Sequence, residues 1–394
     1  MSEIKVINMN SRVVILAALV LSGIGALYYN MLPLYLGAAQ DDKMLANNQI
    51  GFLSFSFFLG YNILTISAFF WIRKVDWRLL TLVSLPFCCI ALYASSFLDS
   101  FEALIGSTVI AGAAFASLYG LGATILGDTD NPARWYGAKI ALEAAIGAVL
   151  FLILPSTLMI DNGFDGLVLG MILTILVLSP LLLFVPSHGA KDEGYAGLDK
   201  SAQKTGLPKV TIWMTLLGTV LFFSAETTIW AFIERIGSVM EFEATAVGNL
   251  LSVTLVCALT GSFLAIYLGD RFGNVRPLVS SGVLFFCALL GLGQAQDFIF
   301  YAVSACAVMF SVGYGIPYAF SEIAELDTDG RYIVLTVPAI GVGAMIGPAI
   351  AGYLAEGKNF VPVLIFGGVC IALAIVLLAS ARRFMPKAAS LEEG

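Results

Sequence analysis

The chain has 394 residues, of which 59% are hydrophobic and only 12% carry a charge. Such a composition leaves too little polar surface to face water, so it excludes an ordinary soluble protein. The apolar runs are long and unbroken rather than short and alternating, which favours membrane-spanning helices over a β-barrel. The net charge of -7 comes from short polar segments, and no basic stripe that could bind nucleic acid is present.

The apolar runs, taken in chain order, predict twelve membrane-spanning helices, since about 20 mainly apolar residues cross a bilayer. They fall near 12–39, 48–72, 79–97, 101–127, 133–158, 163–185, 210–235, 244–269, 276–295, 298–323, 331–356 and 360–384. One polar stretch with the composition of a linker separates six helices from six. We therefore expect an all-α membrane protein with one six-helix bundle over 1–186, a cytoplasmic linker over 187–209 and a second bundle over 210–394.

Lysine and arginine residues predict the orientation of these helices. All but three of the 20 (Lys43, Arg235 and Lys358) fall on the side that holds the N-terminus and the linker. Positively charged loops stay in the cytoplasm. We therefore expect a multi-pass protein of an inner (plasma) membrane with both termini in the cytoplasm.

The residues that enzymes and metal sites need are missing from the apolar runs. The six cysteines lie inside those runs without the spacing of metal ligands, and the single histidine, His188, lies in the polar linker. A histidine-based metal site and a Ser-His-Asp triad within the membrane are thereby excluded. We expect a protein that is not an enzyme and that carries no metal and no cofactor.

The two halves of the chain resemble each other. Asp128-Thr129-Asp130 recurs 199 residues later as Asp327-Thr328-Asp329, and Tyr119 recurs at the same offset as Tyr318. Both triplets follow the fourth helix of their half, so the match indicates a duplication. Repeated bundles with a binding site at their interface are a common plan of transporters.

A conspicuous loop follows the predicted eighth helix. It reads Gly269-Asp270-Arg271-Phe272-Gly273-Asn274-Val275-Arg276 and resembles the signature loop of the major facilitator superfamily, G-x-x-x-D-R-x-G-R-R. The loop from Asp128 to Gly137 and the glycines Gly343, Gly347 and Gly352 of the eleventh helix are similar to that family as well. With twelve helices and a central linker, the resemblance covers the whole chain. It implies two pseudo-symmetric six-helix bundles that rock around a central site.

The resemblance also implies a gating role for the signature loop. Asp270 would face a helix N-terminus, where the helix dipole favours an anion, with Arg271 and Arg276 as basic neighbours. Gly269 and Gly273 would permit the tight turn. The equivalent loop of the first half, residues 71–78, lacks the glycines and places Arg73 near the position of the aspartate. We therefore extend the gating role to the second-half loop alone.

Charged residues inside predicted helices are the best candidates for function, because each costs about 2.5–3.5 kcal/mol on insertion scales. Glu226 lies in the seventh helix, near one face with Thr215, Thr219, Phe222 and Trp230. A carboxylate beside aromatic rings can bind a cation or hold a proton. The alternative is a hydrogen-bonded structural acid.

Glu143 and Lys139 lie in the fifth helix at positions i+4 and i, so they can neutralise each other. The functional interpretation is proton coupling or a gating ion pair. The alternative is a salt bridge that makes insertion into the membrane less costly. Lys139 can also extend to the membrane surface.

Tyrosine and asparagine side chains complete the candidate substrate site. Tyr119 in the fourth helix and Tyr314 and Tyr318 in the tenth could line a central cavity or simply pack between helices. Weaker candidates are Tyr29 and Asn30 in the first helix and Asn62 in the second. In lipid the two asparagines need partners, which either a substrate or a neighbouring helix can supply.

These features predict a secondary transporter of a small organic molecule that is amphipathic and either neutral or cationic. No pair of intramembrane arginines exists to clamp a phosphate or a dicarboxylate. We expect proton coupling, efflux and a monomer in the lipid bilayer, with no nucleic-acid partner. Two alternatives remain open: an uptake permease for a small metabolite or an organic anion attracted by Lys139, and a membrane receptor or assembly partner without transport activity.

Overall fold

In a computed structural model of the protein, long helices follow the predicted apolar runs. The structure describes residues 9–130, 132–189, 209–326 and 336–381. Its helices are α1 (Arg12–Gly25), α2 (Leu27–Lys43), α3 (Asn47–Trp71), α4 (Trp77–Phe97), α5 (Phe101–Gly127), α6 (Pro132–Ile153), α7 (Leu158–Leu178), α8 (Lys209–Val239), α9 (Ala244–Leu268), α10 (Val275–Gly293), α11 (Phe298–Leu326), α12 (Thr336–Leu354) and α13 (Val361–Ala381). Within those ranges, 11 helical segments are long and apolar enough to cross a membrane, and Pro338–Leu354 is a shorter apolar helix. The predicted all-α membrane class is confirmed.

The first span consists of two helices, α1 and α2, that meet at Ala26. It continues to Lys43, beyond the predicted end at residue 39. The Asp42 carboxylate accepts a hydrogen bond from the backbone N–H of Phe164 at 2.6 Å. The Lys43 ammonium donates to the carbonyl oxygen of Leu98 at 3.0 Å. These polar contacts to other helices hold the last turn of α2, whose composition alone is that of a loop.

The described residues form two units, one within 1–44 and 56–197 and the other within 45–55 and 198–394. In the first unit, α1 packs on α5 and α6, and α4 packs on α5 and α7. In the second unit, α8 packs on α11, α12 and α13, while α9 and α10 both pack on α11. The predicted linker over 187–209 lies mostly outside the described residues, as do Asp327, Thr328 and Asp329 of the predicted repeat.

Pairs of glycines bring helix backbones into direct contact in both units. A Cβ atom added to Gly112 of α5 would collide with the carbonyl oxygen of Phe57 in α3, and one added to Gly60 of α3 would collide with that of Val109 in α5. The same reciprocal crossing joins Gly261 of α9 to Gly313 of α11. Each of these glycines lies 201 residues after its first-unit counterpart. The crossing therefore supports the duplication that the sequence predicts.

Replacing Gly112 with alanine is expected to lower the free energy of unfolding by about 1–3 kcal/mol, because the new methyl group must force α3 and α5 apart. Gly106→Ala is the matched control: it lies on the same helix, and nothing lies within 4 Å of its added Cβ. The thermal midpoint of the purified protein measures both. Equal midpoints for the two variants would contradict the backbone crossing.

Candidate functional site

The first unit brings three of the predicted residues together. The Lys139 ammonium lies 2.7 Å from a carboxylate oxygen of Glu143, one turn further along α6. It also lies 3.7 Å from the centroid of the Tyr119 ring in α5. The side chains of Lys139 and Glu143 are only 5% and 12% exposed. The predicted pairing of Lys139 with Glu143 is therefore confirmed, and Tyr119 adds an aromatic face to it.

Neighbouring helices hold this cluster in position. A Cβ atom at Gly25 of α1 would lie 2.5 Å from the backbone nitrogen of Tyr119, so only glycine lets α1 approach α5 here. The Asn30 amide of α2 donates to the backbone carbonyl oxygen of Glu143 at 2.9 Å. The partner of Asn30 is thus a neighbouring helix, one of the two possibilities left open by the sequence.

Aromatic side chains of α3 extend the cluster. The Tyr61 ring lies 6.0 Å from that of Tyr119, measured between centroids. Tyr29, another predicted candidate, packs its ring edge-on against Phe58 at 6.0 Å. Asn62, which follows Tyr61 in the chain, is buried. Its amide nitrogen has no hydrogen-bond partner among the described residues. An unpartnered buried donor of this kind is available to a ligand.

The second unit buries the other candidate carboxylate. Glu226 is 1% exposed, and Phe222 and Trp230 of the same helix are as deeply buried. The predicted face of α8 that includes Thr215 and Thr219 is buried throughout. Burial alone does not distinguish Glu226 from its neighbours, because every residue of α8 from Phe222 to Gly237 is buried.

Three helices enclose α8 around Glu226. On the α12 side, the Ser224 hydroxyl donates to the carbonyl oxygen of Gly343 at 3.2 Å. On the α11 side, the Tyr301 hydroxyl donates to the carbonyl oxygen of Ile233 at 2.6 Å, and a Cβ at Gly315 would lie 3.4 Å from the Phe222 ring. Phe222 and Ile233 of α8 both lie against α11, and Glu226 follows Phe222 by one helical turn.

Tyr314 and Tyr318 of α11 lie against α9. A Cβ at Gly261 of α9 would lie 2.8 Å from the backbone nitrogen of Tyr314. The Tyr318 hydroxyl donates to the carbonyl oxygens of Ala265 and Gly269 at 3.3 and 3.2 Å, at the end of α9. Tyr318 thus anchors the helix that leads into the signature loop, a role that its spacing in the sequence does not reveal.

The signature loop has the tight turn that its glycines predict. Gly269 and Gly273 have φ of +53° and +64°, and Gly269–Phe272 forms a 3-10 turn. The Arg271 guanidinium lies 5.5 Å from the Tyr267 ring centroid. Arg276 lines a shallow apolar groove of about 630 Å³ along α10. The side chain of Asp270 lies outside the described part of the chain, so its predicted contact with a helix N-terminus stays a prediction.

Gly269→Ala is expected to destabilise the protein by about 1–3 kcal/mol through backbone strain alone, because nothing lies within 4 Å of the added Cβ. Its φ of +53° and ψ of -139° lie in a region that residues other than glycine avoid. Gly137→Ala on α6 is the control, since its surroundings are equally open and its φ is not positive. A thermal midpoint of Gly269→Ala equal to that of the control would contradict the strained turn.

An ion pair that the sequence analysis missed ties the corresponding loop of the first unit. The Arg73 guanidinium donates two hydrogen bonds to Asp128, at 2.9 and 3.1 Å, and the Asp128 side chain is fully buried. Trp77 in the same loop donates its backbone N–H to the carbonyl oxygen of Ser187 at 2.8 Å. The loop without glycines therefore still binds the end of α5, through Arg73, and the segment that follows α7, through the backbone of Trp77.

A second missed pair lies near Glu226 on α8. The Arg235 guanidinium donates to both carboxylate oxygens of Glu234, at 2.6 and 2.9 Å, and both residues are buried. The sequence analysis placed Arg235 at the outer end of the seventh helix, whereas the helix continues to Val239. Within the described residues, no group of three His, Cys, Asp or Glu side chains could hold a metal ion.

Comparison with known proteins relates this architecture to known transporters. Residues 215–394 match the family model described as Major Facilitator Superfamily. The fold matches that of a D-xylose-proton symporter with a TM-score of 0.71 and 13% identity, over 95% of this chain and 97% of the other. The C-terminal part of the chain thus matches this superfamily by sequence, and nearly the whole chain shares the fold of this transporter. A bacterial homolog to the human lysosomal transporter Spinster shares the superfamily fold with a TM-score of 0.70 and 13% identity, over 95% of this chain and 98% of the other.

A curated relative adds sequence similarity to this likeness of fold. "Multidrug resistance protein 1" of Bacillus subtilis (strain 168) is 26% identical over 186 residues. The alignment covers 45% of this chain and 46% of the relative, so the match spans about half the length of that relative. The superfamily and the structural neighbours are transporters, which confirms the prediction that this protein is not an enzyme.

Proposed function

We propose that this protein is a proton-coupled secondary transporter that moves a small amphipathic molecule, neutral or cationic, across an inner membrane in the direction of efflux. The observation that carries the proposal is a carboxylate within a spanning helix of each unit, Glu143 in α6, whose side chain is 12% exposed, and the buried Glu226 in α8. Both lie beside aromatic side chains of the kind that bind an organic cation. A carboxylate held in the membrane is costly and is typically retained for function.

The charge balance of the first unit supports a neutral or cationic substrate over an anionic one. Lys139, the residue that could attract an anion, is already neutralised by Glu143 at 2.7 Å. An anion at Lys139 would displace Glu143 and leave that carboxylate buried without its partner, which is strongly unfavourable. The similarity to a protein named for multidrug resistance, although it spans about half of each chain, favours the same class of substrate.

The proposal also includes the orientation of the protein in the membrane and its oligomeric state. The lysine and arginine distribution supports cytoplasmic termini and a cytoplasmic linker. Both candidate carboxylates lie within one chain, which supports a monomer as the working form.

Thermal stabilisation by ligands tests the proposal. We would measure the thermal midpoint of the wild type and Glu226→Gln with panels of organic cations, neutral amphiphiles and organic anions. A ligand that binds the folded state stabilises it by about 2.7 kcal/mol at 100 times its Kd. We expect cations to raise the midpoint of the wild type and to raise that of Glu226→Gln much less.

Two outcomes would contradict the proposal. Equal stabilisation of both proteins by anions would show that Glu226 is not the counter-ion and would favour an uptake permease. Stabilisation by no compound, together with no substrate exchange in liposomes, would favour a membrane receptor without transport activity.

A further inference from the structure

The Lys139 ammonium occupies the kind of site that an organic ammonium would occupy. It has a carboxylate oxygen of Glu143 at 2.7 Å and the face of the Tyr119 ring at 3.7 Å from its centroid. A carboxylate combined with an aromatic face is a typical receptor for an alkylated cation. The side chain of Lys139 is 5% exposed, so the chain's own lysine lies in this site shielded from solvent.

We propose that Lys139 is a tethered occupant of a cation-binding site made by Glu143 and Tyr119, and that an amphipathic organic cation binds there by displacing it. This inference rests on the proposed function, because it gives that function's cationic substrate a binding site at Glu143 in addition to the one proposed at Glu226. It differs from a simple structural salt bridge, in which Lys139 and Glu143 stay paired whether or not a ligand is bound.

The exchange is balanced in charge at Glu143. One ammonium leaves the carboxylate as another arrives, so the carboxylate is never left buried without a cation. Lys139 is seven residues from Pro132, the first residue of α6, which places it about 10 Å from the helix start. A lysine with its long apolar stem can extend its ammonium from there toward the membrane surface.

The surroundings of the site suit the rest of such a ligand. The Tyr61 ring lies 6.0 Å from that of Tyr119, and the Phe57 ring lies 5.9 Å from that of Tyr61, so an aromatic wall leads away from the carboxylate. Asn30 fixes the backbone of Glu143 from α2 at 2.9 Å, and the unpartnered amide nitrogen of Asn62 follows Tyr61 in α3. The ligand class is therefore a cation with an aromatic or otherwise apolar body.

Binding of tetraphenylphosphonium to the purified full-length protein tests the inference, with tetraphenylborate as an anionic control of the same shape. When Lys139 occupies the site, the apparent affinity for tetraphenylphosphonium is reduced in proportion to the fraction of sites that are empty. Lys139→Gln removes this competitor and is expected to tighten tetraphenylphosphonium binding by about tenfold or more. Glu143→Gln is expected to weaken it by about tenfold. Lys74→Gln, which removes an exposed lysine elsewhere, is the control. Unchanged or weaker binding by Lys139→Gln would overturn the inference, since damage to the fold does not tighten binding.

A measurement on the wild type keeps the inference testable if the variants do not fold. A water-soluble amine-reactive ester followed by mass spectrometry reports how accessible Lys139 is. We expect tetraphenylphosphonium to increase modification of Lys139 several-fold and tetraphenylborate to leave it unchanged. Protection of Lys139, or no change, with tetraphenylphosphonium would overturn the displacement.

The results separate this inference from the proposed function. If the wild type binds tetraphenylphosphonium while Lys139→Gln binding and Lys139 labelling do not change, the transporter stands and only the displacement is wrong. If the wild type binds tetraphenylborate and not tetraphenylphosphonium, the cationic substrate class itself is wrong.

Discussion

Arg73→Gln is expected to lower the free energy of unfolding by about 3 kcal/mol, the lower end of the range for breaking a buried ion pair. The Asp128 side chain is fully buried, whereas a third of the Arg73 side chain is exposed. Loss of the guanidinium would leave the carboxylate buried without its two charge-assisted hydrogen bonds. The thermal midpoint of the purified protein is expected to fall by several degrees.

Two control variants isolate the ion pair. Lys74→Gln removes a neighbouring exposed cation and is expected to change stability by less than about 0.5 kcal/mol. Arg73→Gln combined with Asp128→Asn removes both charges and is expected to cost less than the sum of the two single changes, because no charge is left unpaired. Equal midpoints for Arg73→Gln and Lys74→Gln would show that the bridge contributes nothing.

Glu226→Gln is expected to remove the proton-driven part of transport while leaving the protein folded. Glutamine keeps the shape of glutamate, but an NH2 donor replaces one acceptor oxygen, and the side chain cannot exchange a proton or balance a cation. Loss of a charge-assisted hydrogen bond is worth about 1.5–3 kcal/mol, so the driven rate should fall by about 10- to 150-fold. Uptake of ethidium into liposomes with a pH gradient measures that rate.

Glu102→Gln provides the matched control, since Glu102 is an exposed carboxylate in the first turn of α5. Its replacement is expected to cost only a few tenths of a kcal/mol through the helix dipole and to leave transport unchanged. A Glu226→Gln protein that still responds to the pH gradient like the wild type would exclude Glu226 from coupling.

Helix positions could be predicted from the sequence because the bilayer imposes a simple rule of length and polarity. The exceptions occur where polar residues find partners on other helices. Composition ends the first span near residue 39, but the bonds of Asp42 and Lys43 to Phe164 and Leu98 continue the helix to Lys43. The predicted seventh helix likewise ends too early, at Arg235, whereas Arg235 pairs with Glu234 of the same helix and α8 continues to Val239.

Local spacing also explains which contacts of the candidate site could be predicted. Lys139 and Glu143 are one helical turn apart, so their pairing follows from the sequence. The ring of Tyr119 above Lys139 depends on how α5 packs against α6, and the Arg73–Asp128 pair spans 55 residues. The glycine crossing of α3 with α5 depends on how the two helices pack, and the sequence analysis did not predict it.

The measurement that tests the central claim most directly is proton-driven ethidium movement by the wild type. Proteoliposomes that contain DNA would be given an acidic interior, and the fluorescence of ethidium accumulating inside would be followed. The account predicts that the pH gradient accelerates ethidium uptake, and that a protonophore or removal of the protein abolishes the effect. No ethidium uptake above that of protein-free liposomes, with or without the gradient, would contradict it.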